Sequence, residues 1–198
     1  MFTGIITHLG TLSKRKESRF TFVAPQELLR DIKIGSSVAV NGVCLTVVSK
    51  NKDNFNIEVM PETMRKTMLD DLIIGTQVNL ELSMKAHDRF EGHIVQGHVD
   101  GVGTITSIIP EGNSHIFRFA VSRQIAQTIV TKGSIAVNGI SLTVIEAESD
   151  WFTVGIIPYT MSHTVLGRAK KGDRVNIETD ILVKYMHKLL RKAEKEVV

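Results

Sequence analysis

The sequence predicts a mainly β protein built from two copies of one fold and finished by a C-terminal helix. Three observations predict it. First, Asn41-Gly42-Val43-Cys44-Leu45-Thr46-Val47-Val48 returns 97 residues later as Asn138-Gly139-Ile140-Ser141-Leu142-Thr143-Val144-Ile145. The register holds without a gap from Ser37/Ser134 to Glu81/Glu178. Second, short apolar alternation broken by glycine prevails in both halves, the mark of strands with one buried face. Third, residues 181–196 contain no glycine or proline and repeat apolar residues at spacings of three and four. The repeat is domain-sized and too long for a solenoid unit, which spans roughly 20 to 50 residues.

In chain order, Pro25 to Ile32 has helical spacing and helix formers. Ser37 to Gly42 reads as a strand entering a turn, and Leu45 to Val48 as its continuation. Phe55 to Val59 and Val78 to Leu82 alternate cleanly. The turns after Pro61 and Pro158 read as helical or 3₁₀ pieces, and residues 84–92 as a linker. The second copy repeats the series: a helix from Ser122 (a natural N-cap) to Val130, then strands at 134–138, 142–145, 151–157 and 174–179. Short strands at regular spacing indicate an antiparallel barrel or sandwich in each half. In the tail, Leu182, Met186, Leu189 and Ala193 form the apolar seam of an amphipathic helix. It has no counterpart in the first copy, which favours assembly with copies of itself over packing on its own barrels.

Composition narrows the function. The hydrophobic fraction of 42% is that of an ordinary globular protein. No run approaches the roughly 18 apolar residues of a membrane span. Met1-Phe2-Thr3-Gly4 lacks the basic-then-apolar pattern of a signal peptide, and one cysteine cannot form an intramolecular disulfide. A cytoplasmic location is expected. The net charge of +3 is concentrated in Lys184, Lys188, Arg191, Lys192 and Lys195 of the tail, which argues against a nucleic-acid surface over the fold. The sequence holds no phosphate-binding glycine loop, dinucleotide fingerprint, recognisable serine triad or metal-ligand spacing.

The differences between the copies should mark the chemistry. Cys44 in the first faces Ser141 in the second. A thiol exchanges protons near neutral pH if its pKa is lowered; a serine needs a base beside it. An unpaired cysteine is also, more often, small buried filler. In Glu91-Gly92-His93-Ile94-Val95-Gln96-Gly97-His98-Val99-Asp100-Gly101 two histidines stand five apart. On a strand that offset places them on opposite faces, which excludes shared metal ligation. Two surface histidines at a domain junction is the plainer reading. Thr46, Thr63, Thr143 and Thr160 recur at glycine- and proline-framed turns, where hydroxyls suit a polyhydroxylated or heterocyclic ligand or simply cap turns.

These motifs resemble the riboflavin synthase family over essentially the whole chain. Met1-Phe2-Thr3-Gly4-Ile5-Ile6 is similar to that family's opening, and the two Asn-Gly segments at 41–47 and 138–144 resemble its paired lumazine-binding signatures. Gly92 to Gly101 resembles its interdomain motif, and Ile157-Pro158-Tyr159-Thr160 a further one. The resemblance implies two tandem six-stranded antiparallel closed β-barrels plus a C-terminal α-helix. It implies lumazine-binding barrels over 1–90 and 91–180 and a trimerisation helix over 181–198. It implies a transferase that dismutates two molecules of 6,7-dimethyl-8-ribityllumazine, with no metal or other cofactor, as a homotrimer. A surrounding lumazine synthase capsid stays open as a partner.

Site roles follow from the resemblance by position. Cys44, His98 and Ser141 are the expected catalytic residues, with His98 the general acid or base. Phe2, Gly4, Ile5, Ile6, Cys44, Leu45, Thr46, Glu58, Val59, Met60, Pro61, Glu62 and Thr63 are expected to bind substrate at the first barrel. Gly97, His98, Val99, Lys132, Ser141, Leu142, Thr143, Gly155, Ile156, Ile157, Pro158, Tyr159 and Thr160 are expected to do so at the second. His93 matches the motif, with no physical case for it beyond its position.

Overall fold

The computed structural model describes residues 1–196, with side chains through Leu190. Ala193 of the tail seam, and Arg191, Lys192 and Lys195 of the basic cluster, lie outside the described side chains. Six strands form the first half: β1 (His8–Lys16), β2 (Arg19–Val23), β3 (Ser37–Val40), β4 (Val43–Lys50), β5 (Asn54–Glu58) and β6 (Gln77–Leu82). Six form the second: β7 (Gly101–Glu111), β8 (Ser114–Ala120), β9 (Ser134–Val137), β10 (Ile140–Ala147), β11 (Trp151–Ile156) and β12 (Arg174–Thr179). Each set closes on itself, in the order β1-β2-β5-β4-β3-β6 and its equivalent β7-β8-β11-β10-β9-β12. The expected pair of closed six-stranded antiparallel barrels is therefore present. Closure leaves neither sheet an open edge.

The strand alternation fills each barrel. Phe20, Phe22 and Phe55 pack inside the first with Leu12, Val38, Leu45 and Val47. Phe117, Phe119 and Phe152 do so in the second. Helix α1 (Gln26–Asp31) buries Leu28 and Leu29 against the first core. In the second copy the corresponding helix is shorter than the sequence suggests: α3 runs only Arg123–Ala126, its Ser122 hydroxyl accepting from the Ile125 amide. Helices α2 (Pro61–Lys66) and α4 (Pro158–His163) start on proline, each followed by a 3₁₀ turn, Met68–Asp71 and Val165–Arg168. The last helix is α5 (Ile181–Glu196).

The two Asn-Gly turns clasp the barrels together. Asn41 and Gly42 have φ of 44° and 76°, and Asn138 and Gly139 have 47° and 78°. Positive φ at both central residues is the tight hairpin geometry for which Asn-Gly is favoured. The turns lie against each other, and a Cβ on Gly42 would stand 2.6 Å from the Gly139 nitrogen. Four buried asparagines tie the junction. The Asn79 side chain donates to the Asn138 carbonyl at 3.0 Å and accepts from the Val165 amide. Asn176 donates to the Asn41 carbonyl at 2.8 Å and accepts from the Met68 amide. The pattern has a local two-fold symmetry that exchanges the barrels.

Candidate active site

Two chain segments cross this junction as arms. Phe2 and Val95 pair antiparallel through both backbone hydrogen bonds, and their side chains are buried among Ala39 and Ala136 with Cys44 at the margin. Beyond that bridge each arm reaches the opposite barrel. The Gly4 carbonyl accepts from the Ser141 amide at 2.8 Å, and the Gly97 carbonyl accepts from the Cys44 amide at 2.9 Å. Gly4 and Gly97 have φ of 78° and 79°. A Cβ on Gly97 would stand 2.5 Å from Cys44 Cβ, so these positions need glycine for both conformation and space.

This crossing corrects the grouping expected from the sequence. The sequence groups Gly4, Ile5 and Ile6 with the first barrel's site, but Gly4 binds Ser141 and Ile6 packs on the second barrel's core. It groups Gly97, His98 and Val99 with the second, but Gly97 binds Cys44 and Val99 packs on the first core. Each arm precedes its own barrel in the chain and reaches over the local axis to the other.

The crossing defines two half-sites. Cys44 is half-buried and Thr46 exposed, on the outer face of β4, while Leu45 and Val47 point into the barrel. Ser141 and Thr143 stand likewise on β10. Around the first half-site Glu58, Met60, Pro61 and Glu62 are exposed and Thr63 is half-buried. Around the second, Gly155 and Thr160 are half-buried, and Ile157, Pro158 and Tyr159 are exposed. Leu45, Val59 and Ile156 are core residues; their backbone, not their side chains, is available to a ligand. Leu142 packs partly on the second core. Lys132 is exposed at a left-handed turn, φ 66°, where the first copy has Gly35 at 87°.

The half-sites differ in their chemistry. Glu62 pairs with Arg65 at 2.6 Å and Lys66 at 3.2 Å, and these cations hold its carboxyl below the usual range. Its counterpart Tyr159 instead stacks on His163, ring centroids 4.0 Å apart. His98 is exposed. The largest departure from the sequence expectation is His93. It is a buried residue, 7% exposed, and its Nδ1 lies 2.7 Å from the Ser141 hydroxyl oxygen. Its Nε2 is buried with no protein partner. Burial pushes the imidazole pKa down, against the pull of the Asp180 carboxylate. Ser141 thus has a neighbouring imidazole that the sequence did not reveal. Nothing in the sequence links residues 93 and 141, which stand 48 apart.

Among the described residues no group of three or more His, Cys, Asp or Glu is placed to hold a metal ion, and no helix is long and apolar enough to cross a membrane. A groove of about 530 Å³ between the two 3₁₀ turns is lined by Asn41, Asn138, Arg168 and Arg174. It contains none of the residues expected to bind substrate.

Twin barrels with crossed arms and two matched outer half-sites define the class of tandem lumazine-binding proteins. The lumazine binding domain family matches residues 3–83 and again 96–180, one barrel with its arm each time. The riboflavin synthase of Bacillus subtilis (strain 168) is 42% identical over 98% of this chain and 92% of its own length. That of Actinobacillus pleuropneumoniae is 44% identical over 97% and 91%, and that of Saccharomyces cerevisiae 40% over 95% and 85%. Among solved structures, LumP complexed with riboflavin superposes with a TM-score of 0.84 at 26% identity, covering 90% of this chain and 99% of that one. LumP complexed with 6,7-dimethyl-8-(1'-D-ribityl) lumazine gives 0.81 over the same shares. The chain belongs to the riboflavin synthase family.

Proposed function

We propose that this protein is a riboflavin synthase, a transferase that moves a four-carbon unit between two molecules of 6,7-dimethyl-8-ribityllumazine. The products are riboflavin and 5-amino-6-ribitylamino-2,4(1H,3H)-pyrimidinedione. The observation that carries this reading is the pair of matched but chemically distinct half-sites, Cys44 with the Gly97 arm and Ser141 with the Gly4 arm, in a chain alike to riboflavin synthases over nearly its full length. Two identical substrates playing different roles need two similar pockets that differ at the reacting centre. Holding two rings face to face removes much of the entropy cost of their encounter, worth as much as roughly 7–11 kcal/mol in well-oriented reactions.

In this reading the acidic C7 methyl of one lumazine loses a proton. His98 is the acid–base group over the first half-site, and Cys44 adds to or takes a proton near C7 there. Ser141, with His93 as its base, assists at the second. Mixing the pure protein with the lumazine alone tests the proposal: riboflavin absorbance should grow. A stable bound spectrum without turnover would make it a carrier. Cys44→Ser should keep lumazine binding and lose most turnover; unchanged turnover would reduce the thiol to packing.

The half-sites open outward, with Met60 70% and Tyr159 67% exposed beside them. A pocket that encloses two rings is therefore completed by a second protomer's opposite barrel. Helix α5 supports a homotrimer. Leu182, Tyr185, Met186, Leu189 and Leu190 are all more than half exposed, an apolar face longer than a monomer retains without cause. Truncation after Asp180 should leave folded barrels that sediment as monomers with little activity. A trimer that persists without α5 would overturn this assembly. A cytoplasmic location and a lumazine synthase capsid around the trimer are part of the same proposal.

A further inference from the structure

Each arm hangs on one buried carboxylate. Glu178 on β12 is 3% exposed. Its Oε1 accepts the Gln96 amide at 2.7 Å and its Oε2 the Gly97 amide at 2.9 Å. Glu81 on β6 is 4% exposed. It accepts the Thr3 amide at 2.7 Å, the Thr3 hydroxyl at 2.9 Å and the Gly4 amide at 3.1 and 3.2 Å. The strand register aligns each carboxylate with a reactive position. Glu81 pairs with Ala39, which pairs with Cys44; Glu178 pairs with Ala136, which pairs with Ser141. The alanines leave room for the arms to cross, and the Phe2–Val95 bridge lies over them.

Burying an ionisable carboxylate is costly unless it gains strong partners. Burial raises both carboxyls above the ordinary glutamate range, against the pull of the arm amides. Lys184 also favours the charged form of Glu178 and Asp100 opposes it, the two pairing with each other at 2.7 Å. An apolar residue would fill a barrel junction at lower cost. What Glu offers is two acceptor oxygens that fix two successive amides, which sets the direction of the next carbonyl. That carbonyl is the one that holds Cys44 or Ser141.

We propose that Glu178 and Glu81 are positioning residues for the two half-sites, each acting across the junction. Glu178 on the second barrel sets Gly97 and His98 against Cys44. Glu81 on the first sets Gly4 and Ile5 against Ser141. Neither touches substrate. This rests on the functional reading above and adds the residues that set its geometry. Displacing a reacting group by about 1 Å costs on the order of a hundredfold in rate.

The test uses Glu178→Gln and Glu81→Gln in the full chain. Glutamine keeps the volume but replaces one acceptor with a donor that faces an amide N–H. In ¹⁵N–¹H spectra, Glu178→Gln should move the Gln96 and Gly97 amides upfield and leave those of Thr3 and Gly4 in place; Glu81→Gln should do the converse. Glu178→Gln should lower kcat about tenfold to a hundredfold with the lumazine KM and riboflavin affinity within about threefold. Amide shifts confined to the wrong arm, or the right shifts with unchanged kcat, would overturn the proposal. If glutamine unfolds the chain, Glu178→Asp keeps the charge and withdraws it by one methylene, and the same shifts and the same kcat loss are required of it. Were the wild-type protein to make no riboflavin, the functional reading would fall by itself. Amide shifts confined to the matching arm would still support the positioning, and shifts in the other arm would still overturn it.

Discussion

His93→Gln is expected to slow riboflavin formation about a hundredfold while lumazine affinity changes by less than about twofold. A positioned base contributes roughly 10²- to 10⁴-fold in rate, and His93 is the only imidazole hydrogen-bonded to Ser141 among the described residues. Glutamine preserves bulk and a hydrogen bond to the hydroxyl but cannot take its proton. If the pair acts as a unit, Ser141→Ala and the double variant should lose about as much as the single one, since linked groups are not additive. Single-turnover absorbance of the three variants checks this; a histidine variant at wild-type rate would remove His93 from the chemistry.

The same residue carries a stability signature. The folded state depresses the His93 pKa through burial. As pH falls below about 6.5, the unfolded chain takes a proton that the folded chain refuses, so stability is lost on acidification. Glu81 and Glu178 act with the opposite sign. Their raised values mean the folded chain holds protons the unfolded chain has released, so their contribution improves as pH falls towards the ordinary glutamate range. His93→Gln should therefore lose less stability than wild type between about pH 7 and pH 5.5 in urea titrations. An identical pH dependence would show that His93 titrates as it does in the unfolded chain.

Asn176→Leu is expected to cost about 3 kcal/mol. The substitution strands the Asn41 carbonyl and the Met68 amide, both bound by the Asn176 side chain. A buried polar group left without a partner costs roughly 1–3 kcal/mol. For a chain of this size that corresponds to a drop in Tm of about 10 °C. Asn79→Leu should behave alike, because it strands the Asn138 carbonyl and the Val165 amide. Calorimetry should also show the single transition broadening as the barrels uncouple. A Tm within about 2 °C of wild type would show that the clasp is redundant.

Much of the fold was legible because the repeat and the alternation report the same inward faces. Phe55 and Ile57 on β5, and Val78 and Leu80 on β6, are buried where their period-two spacing places them. The first two strands of each half were not read from the sequence. Strand β1 ends in Lys14-Arg15-Lys16, and only Gly10 and Leu12 along it are buried; solvated outer positions hide its periodicity. The half-sites were legible as residue types but not as partners. The strands from β2 to β6 repeat at an interval of 97, whereas the start of β1 and the arms that meet Cys44 and Ser141 are 93 apart, and Gly4 and Gly97 are the one identity that links Phe2–Ile6 to Val95–Val99. A repeat search in the strand register therefore slides past them. The reach of each arm to the opposite barrel is a three-dimensional fact with no local signature, and so is the contact of His93 with Ser141.

The crossed arms have a bearing on ancestry. A lone barrel with a single leading strap would make both glycine-carbonyl contacts and the asparagine clasp by exchanging straps with an identical mate. Fusing two such genes end to end would tether what symmetry had already joined and add the connecting segment that carries His93. It would, however, release the mates from identity. A thiol on one side and an alcohol with its imidazole on the other became available only once both stood on the same polypeptide.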